Sequence, residues 1–374
     1  MRITGQNETI GNMRYFIPDP LPPQNPLLIL DANLVALLGD AMLHLGKLNE
    51  MTNKLPDVKR FIKAYIIKEA LLSSSIEGIH TTLLDIFTQP LLESKPNKNT
   101  QLVMNYTKAL DVAISMLRNN NLPVASRVIL GAHDALMSVG EGDISDPGHY
   151  RKQAVRVGSH VPPPPISVPD LMAKLESFIN TDQSLPSLIK AGLAHVQFET
   201  IHPFLDGNGR IGRLLIVLML VESGLLLEPI LYPSYYFKKH QFEYYQWLDR
   251  VRTHGDFEGW ITFYLTVIRD SSIDAYKRAK EIEKLEKDLT QKIVDEKGSR
   301  AITQTRLRAL AILFSTPIIN VSELSKQLEM SYNTANQIIS YFMKLGFLVE
   351  ENQQKRGKVF RFKVYLDVLE QEYE

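Results

Sequence analysis

At 374 residues the chain can house two or three domains, each with its own core. Lysine plus arginine equal aspartate plus glutamate at 42 each, so no overall field favours nucleic acid or an anionic membrane. The absence of cysteine excludes disulfides, thiolate metal sites and cysteine nucleophiles, and it suits a reducing cytoplasm.

The N-terminus, MRITGQNETIGNMRYFIPDP, has no apolar run of the signal-peptide kind, and the proline-rich stretch up to about Pro26 reads as an extended arm. From Leu27 to about Leu92 apolar residues recur at helical spacing, with Asp31 or Asn33 as a cap. Within it VKRFIKAYIIKEALLSSSIEG reads as a second helix closed by Gly78. Past the polar break KPNKNT, TQLVMNYTKALDVAISMLRNN and ASRVILGAHDALMSV read as two more helices. EGDISDPGHYRKQAVRVGSHVPPPP is turn-rich. In it Ala154–Val157 alternates like a short strand or hairpin, and the PPPP run fits neither helix interior nor central strand.

Helices resume with VPDLMAKLESFIN, SLIKAGLAHVQFETI, RIGRLLIVLMLVESG, KKHQFEYYQWLDRVRTHG and DFEGWITFYLTVIRDSS. The most apolar run, Leu214–Val221, is far short of the roughly 20 residues that span a bilayer. A soluble, cytoplasmic protein with no membrane partner is expected. The charged AYKRAKEIEKLEKDLTQKIVDEK reads as a linker helix to a last unit from about Arg300. There, three short helices precede two strands around the polar turn QQKRGK, the pattern of a winged helix-turn-helix. Ser322 fits as an N-cap, with a turn at Glu329–Ser331 before the third helix.

The densest chemistry lies in HPFLDGNGRIGRLL, His202 to Leu215. Gly207 and Gly209 allow positive φ and close backbone approach, so successive N–H groups can line one concavity. A helix beginning near Gly209 adds its unpaired N–H groups and positive dipole end. Arg210 and Arg213, three apart, place two guanidinium groups on the same face. Asp206 offers a hard oxygen suited to Mg²⁺, and His202 a base that is neutral near pH 7. A bland helix-capping turn has no need of five polar functions at fixed spacing.

HPFLDGNGRIGR matches at every defined position the signature of Fic-domain proteins, His-Pro-Phe-x-[Asp/Asn]-Gly-Asn-Gly-Arg-x-x-Arg. EALLSSSIEGIHTTL resembles the segment that precedes many Fic domains, and YYQWLDRVRTHGDFEGWITFYL the family's closing helices, so the likeness covers roughly residues 25–270. The resemblance implies a mainly α fold: a helical Fic domain with a short β-hairpin flap, plus the C-terminal winged helix-turn-helix. Together with the charged linker, the expected division is an N-terminal helical region (1–110), a catalytic domain (111–275), and a linker helix with the winged helix (276–374).

The resemblance also implies a protein adenylyltransferase that moves AMP from ATP to a Ser, Thr or Tyr hydroxyl. By position, His202 would deprotonate the hydroxyl and Asp206 would hold Mg²⁺. The run Gly207, Asn208, Gly209, Arg210, Ile211, Gly212, Arg213 would hold the phosphates. Glycine at position 209, where Doc-type phosphotransferases carry lysine, favours nucleotidyl transfer. The segment Lys152–His160 falls where the family has its flap, and Val155, Arg156, Val157 and Gly158 could register a target strand; a plain surface hairpin is the alternative. Tyr244 and Tyr245 fall where relatives line the nucleobase pocket, with aromatic core packing as the competing reading.

Ser73–Gly78, SSSIEG, resembles the family's inhibitory motif [Ser/Thr]-x-x-x-Glu-[Gly/Asn]. Glu77 at a helix C-terminus is poorly placed for the helix dipole and would profit from a cation; the resemblance names Arg213. Expected partners are ATP, an unidentified target protein, the chain itself as a target and a second copy as a homodimer. Two other functions compete: a DNA-binding regulator with a nucleotide-sensing core, and removal of AMP at the same site. The would-be recognition helix supplies Asn333, Thr334, Asn336 and Gln337 but few cations, leaving Lys355, Arg356 and Lys358 as the basic patch.

Overall fold

The computed structural model describes residues 2–54, 58–92, 95–138, 146–296, 298–351 and 358–371. The chain opens on a hairpin rather than an unpaired arm. Strands β1 (Gly5–Ile10) and β2 (Met13–Pro18) pair antiparallel around Gly11, whose φ is +61°. Gly-Asn between two extended runs is the sequence signal for this turn, masked by the prolines that follow. The Phe16 amide donates to the Val161 carbonyl at 2.9 Å, which ties β2 to the segment before α6.

Helix α1 (Ala32–Lys54) starts where Asp31 accepts the Leu34 amide at 2.8 Å. Helix α2 (Val58–Ile76) ends in a Schellman motif: Ile79 N–H to Ser74 O at 3.0 Å and Gly78 N–H to Ser75 O at 3.2 Å, with Gly78 at φ +76°. A short α3 (Leu83–Thr88) with a Thr82–Asp85 capping box leads to α4 (Lys98–Arg118) and α5 (Ser126–Met137). Then come α6 (Val168–Thr181), α7 (Ser187–Ile201) and α8 (Asn208–Glu222). Both α7 and α8 are buried almost all round, which explains why their apolar residues show no single stripe. The apolar run of α8 is core, and no helix among the described residues is long and apolar enough to cross a membrane.

Helices α9 (Ser234–Lys239) and α10 (Gln241–His254) precede α11, which runs unbroken from Phe257 to Asp295. The division expected at 275/276 therefore falls inside one helix. The Tyr65 hydroxyl of α2 bonds the Ala275 carbonyl at 2.7 Å, and burial continues to Ile293. Past α11 lie α12 (Arg300–Ser315), β3 (Ile318–Asn320), α13 (Val321–Leu328), α14 (Tyr332–Lys344), β4 (Leu348–Glu350), β5 (Val359–Phe362) and α15 (Lys363–Glu370). The three strands form an antiparallel sheet in the order β3-β5-β4. Asn320, not Ser322, caps α13, accepting the Glu323 amide at 2.7 Å, because the strand β3, which the sequence reading did not include, ends at Asn320 and the helix begins directly after it. The turn before α14 is as expected, with Glu329 at φ +55° and Ser331 as the cap.

Helix α15, absent from the sequence reading, docks the last unit onto the helical core. Arg278 of α11 donates to the carbonyls of Val368 and Gln371, and Lys68 of α2 donates to that of Leu369 at 3.1 Å. Cations at the end of a helix meet its unpaired carbonyls and negative dipole end.

Candidate active site

The loop between α7 and α8 is held in shape from three sides. His202 closes α7 in the left-handed region at φ +51°, its amide bonded to Phe198 O at 2.9 Å. The Asn208 side chain clamps the Phe204 backbone, accepting from its N–H and donating to its carbonyl, both at 2.9 Å. His133 stacks on the Phe204 ring at 3.7 Å; its Nδ1 accepts the Gly148 amide, so its Nε2–H donates to Asp206 O at 3.1 Å. Gly207 at φ +80° precedes α8, and a Cβ there would come within 3.0 Å of Met137 Sδ.

The first bond of the α8 ladder joins Ile211 N–H to Gly207 O at 3.0 Å, so the amides of Asn208, Gly209 and Arg210 lie ahead of it at the positive end of the helix. This narrows the phosphate set expected from sequence. The Ile211 amide is used within the helix and its side chain is core. Gly212 turns its carbonyl to His195 Nδ1 at 2.8 Å, and a Cβ there would strike the Glu199 carboxylate. Asn208 contributes an amide, while its side chain braces the loop.

Arg213 is buried at the centre of the site. Its Nε donates to Ser73 Oγ and its Nη2 to Ser73 O, both at 2.9 Å, and Nη2 also donates to Glu77 Oε1 at 2.7 Å. Burial works against its charge, but Glu77, Tyr244 and Glu199 more than offset this and hold the guanidinium above its ordinary range. The Glu77 carboxylate lies directly over Gly209, where a Cβ would collide with it. The Ser73–Gly78 segment thus reaches both Arg213 and the mouth of the helix. Arg210, also buried, lies 3.5 Å from Asp206 Oδ1.

His202 is partly buried, and its ring is hydrogen-bonded to the Glu199 carbonyl one turn earlier in α7. Burial first, then the charge of Arg151, pushes its pKa down to about 4, so at pH 7 it is a neutral base.

The two tyrosines separate. Tyr244 is 1 % exposed, donates its hydroxyl to His195 Nε2 at 2.8 Å and packs on Phe237, so it supports the site from the core and does not line a base pocket. Tyr245 is 44 % exposed and its hydroxyl comes within 3.5 Å of the Ile76 carbonyl, at the end of α2 beside Glu77. The flap is no strand. Val155, Arg156, Val157 and Gly158 belong to a tight turn closed by Val157 N–H to His160 O and its reverse, both at 2.9 Å, with Gly158 at φ +58°. Among the described residues the alternating stretch has no second strand alongside it. Buried Arg151 and His160 anchor its two ends, His160 Nε2 lying 2.9 Å from Thr200 O.

Sequence reasoning missed Arg151, Gln241, Glu69 and Glu199. Gln241 donates to Ile76 O at 3.0 Å and holds the end of α2. Burial pushes both Glu69 and Glu199 up to about 7. Glu199 carried a signal, a carboxylate on a helix buried almost all round, whereas Glu69 follows Lys68 in a helix rich in cations and carried none.

These shifts predict a pH response. As pH falls below 6.5 the unfolded chain protonates His133, His160, His195 and His202, whereas burial keeps them neutral in the folded chain down to about 4, 3, 3 and 4. Glu69 and Glu199 act in the opposite sense, protonated in the folded chain from about 7 downward but in the unfolded chain only near 4.5. Four groups outweigh two, so stability should fall between pH 6.5 and 4.5 by up to roughly 1.4 kcal/mol per pH unit for each net proton, and the melting temperature with it. A flat or rising melting temperature over that interval would contradict the burial of these histidines.

Residues 123–220 match the model of the Fic/DOC family and residues 35–115 that of the family's N-terminal region. A protein adenylyltransferase Fic of Drosophila mojavensis is 28% identical over 289 residues, 72% of this chain and 55% of the relative. One from Culex quinquefasciatus is 29% identical over 59% of this chain and 43% of the relative. The chain spans about half the length of the curated relatives it matches. The solved structure of a Fic family protein from Desulfovibrio desulfuricans G20 superposes with a TM-score of 0.57 at 21% identity, over 90% of this chain and 97% of that one. A Fic-domain signaling protein from Bacteroides thetaiotaomicron gives 0.52 at 19% identity, over 65% and 97%. At that identity the likeness is one of fold.

Proposed function

The chain is a member of the Fic/DOC family, with the family's domain at 123–220 behind its N-terminal region at 35–115, and on that premise we propose that it transfers AMP from ATP to protein hydroxyls, itself included, and is held inactive by Glu77. The observation that carries this is the 2.7 Å contact of Glu77 with Arg213, made with the carboxylate lying over Gly209 at the mouth of α8. A carboxylate there takes the place and the cation of a terminal phosphate.

In the transfer, a target hydroxyl held against the turn at Val155–Gly158 gives its proton to the free imidazole nitrogen of His202. The hydroxyl oxygen bonds the α-phosphorus as the bond to the bridging oxygen breaks, and pyrophosphate leaves. The amides of Asn208, Gly209 and Arg210 meet the charge that develops on the α-phosphate, and Arg210 and Arg213 hold the outer phosphates. Tyr245 borders the nucleotide side beside Glu77.

Asp206 fits Mg²⁺ only in part. Its Oδ1 already accepts the Gly207 amide at 2.6 Å, its side chain is well exposed, and no group of three or more candidate ligands exists among the described residues. One carboxylate suits a Mg²⁺ that takes its remaining ligands from phosphates and water. Bound there, the ion would offset phosphate charge. Asp206→Ala should therefore lose most Mg²⁺-dependent transfer; an unchanged Mg²⁺ response would place the ion elsewhere.

The DNA-binding reading draws no support from the last unit. Exposed Asn333, Asn336 and Gln337 lie on α14, which itself carries no cation before Lys344, and Lys358 is paired with Glu350 at 3.0 Å. Lys355 and Arg356 lie outside the described residues. Incubation with α-labelled and, separately, γ-labelled ATP tests the proposal. Label on protein from the α position alone supports AMP transfer, and label from the γ position indicates phosphoryl transfer instead.

A further inference from the structure

Arg151 is 2 % exposed and every acceptor the structure gives its side chain is a main-chain carbonyl. Its Nε donates to His202 O at 2.8 Å, its Nη1 to Gln153 O at 3.1 Å, and its Nη2 to Pro163 O at 2.6 Å and, more weakly, to Ile201 O at 3.4 Å. Its own amide donates to Pro203 O at 2.9 Å. No carboxylate among the described residues pairs with it, and a buried guanidinium so placed is costly, so its retention calls for a reason.

The acceptors supply one. The carbonyls of Ile201 and His202 end α7, where a cation meets both unpaired acceptors and the negative end of the helix. His202 stands at φ +51°, a conformation a histidine keeps only when its surroundings enforce it. Gln153 and Pro163 bracket the turn at Val155–Gly158, which is otherwise exposed.

We propose that Arg151 is a positioning residue for the transfer: one planar fork fixes the left-handed backbone of the base His202 and ties it to both ends of the segment that presents the target hydroxyl. The inference rests on the AMP-transfer reading above. A lysine supplies the charge but not a rigid fork that reaches carbonyls on two separate segments. No hydrogen bond among the described residues joins the Arg151 side chain to α8, so ATP binding should not depend on it.

The charge has a second effect. The charged groups around the His202 imidazole are Arg151, Arg252 from α10 and Asp206 from the loop, with His160 at the base of the flap. Of these Arg151 does most to disfavour the imidazolium, after burial itself. Removing the charge should raise the pKa of His202, and lysine should largely preserve it.

The test uses the full chain with Glu77→Gly as parent, and adds Arg151→Lys or Arg151→Met. Three quantities are read: the rate of self-labelling from α-labelled ATP, ATP affinity, and the NMR titration of the His202 ring without Mg²⁺. Both variants should label at least tenfold more slowly and bind ATP within about twofold of the parent. In Arg151→Met the ring should titrate half a unit or more higher, roughly the size of one nearby charge; in Arg151→Lys it should titrate as in the parent. ATP binding also reports that a variant is folded. Either variant labelling at the parent's rate overturns the proposal, as does an unmoved titration in Arg151→Met. A parent that transfers no AMP overturns the reading of function instead, and the titration still decides whether Arg151 governs His202.

Discussion

His202→Ala, introduced into the Glu77→Gly protein, should lower AMP transfer by about 10²–10⁴-fold, the usual contribution of a positioned general base. ATP affinity should stay nearly unchanged, because the amides at the start of α8 and the two arginines do not touch the imidazole. The loop should also survive, since His133, Asn208 and Arg151 hold its backbone independently of the His202 ring. Transfer rates and equilibrium ATP binding, measured on the same samples, check both halves. A parallel fall in affinity and rate would mean that the histidine shapes the nucleotide site and does not accept the proton.

Glu77→Gly should raise transfer, self-labelling included, by tenfold or more. Arg213 is buried, with Nε and Nη2 committed to Ser73 and Glu77, so a terminal phosphate meets a cation already paired and a carboxylate in its place. A preference of a few kcal/mol for the closed pairing leaves few molecules able to seat ATP productively, and each 1.4 kcal/mol relieved is about tenfold in that population. The gain should require the freed arginine: adding Arg213→Ala should abolish most of it. Glu77→Gln keeps the shape but drops the charge and should give a smaller increase than glycine. If Glu77→Gly labels no faster than an already active wild type, Glu77 is an ordinary helix-end carboxylate.

What was legible in the sequence was local. The HPFLDGNGRIGR spacing dictates a left-handed turn at Gly207 and a helix behind it, because both features involve residues close in the chain. SSSIEG was legible for the same reason: Ser73 in the last turn of α2 and Glu77 just past its end are four apart, and Gly78 closes the helix. Contacts between distant segments were not. Arg151 sits in a turn-rich stretch that gives no hint of acceptors at positions 201 and 202. Tyr244 and Tyr245 are about 100° apart on α10, and only its packing against α7 and α11 decides which ring is core. No helix breaker separates Ser272 from Ala275, so the shift from apolar to charged residues marked a domain boundary that α11 ignores. At α13 two residues able to cap stood two apart, and the end of β3 chose Asn320.

The most direct measurement of the central claim needs no target protein: the affinities of ATP and ADP for the wild type and for Glu77→Gly, side by side. With Arg213 held by Glu77 and the carboxylate lying in its place, the terminal phosphate loses the Arg213 contact and keeps only Arg210, so the wild type should favour ATP over ADP only weakly. In Glu77→Gly a charge-assisted contact to that phosphate becomes available, worth about 1.5–3 kcal/mol, so ATP should bind roughly tenfold or more tightly than ADP. The same ATP-to-ADP ratio in both proteins would contradict the account.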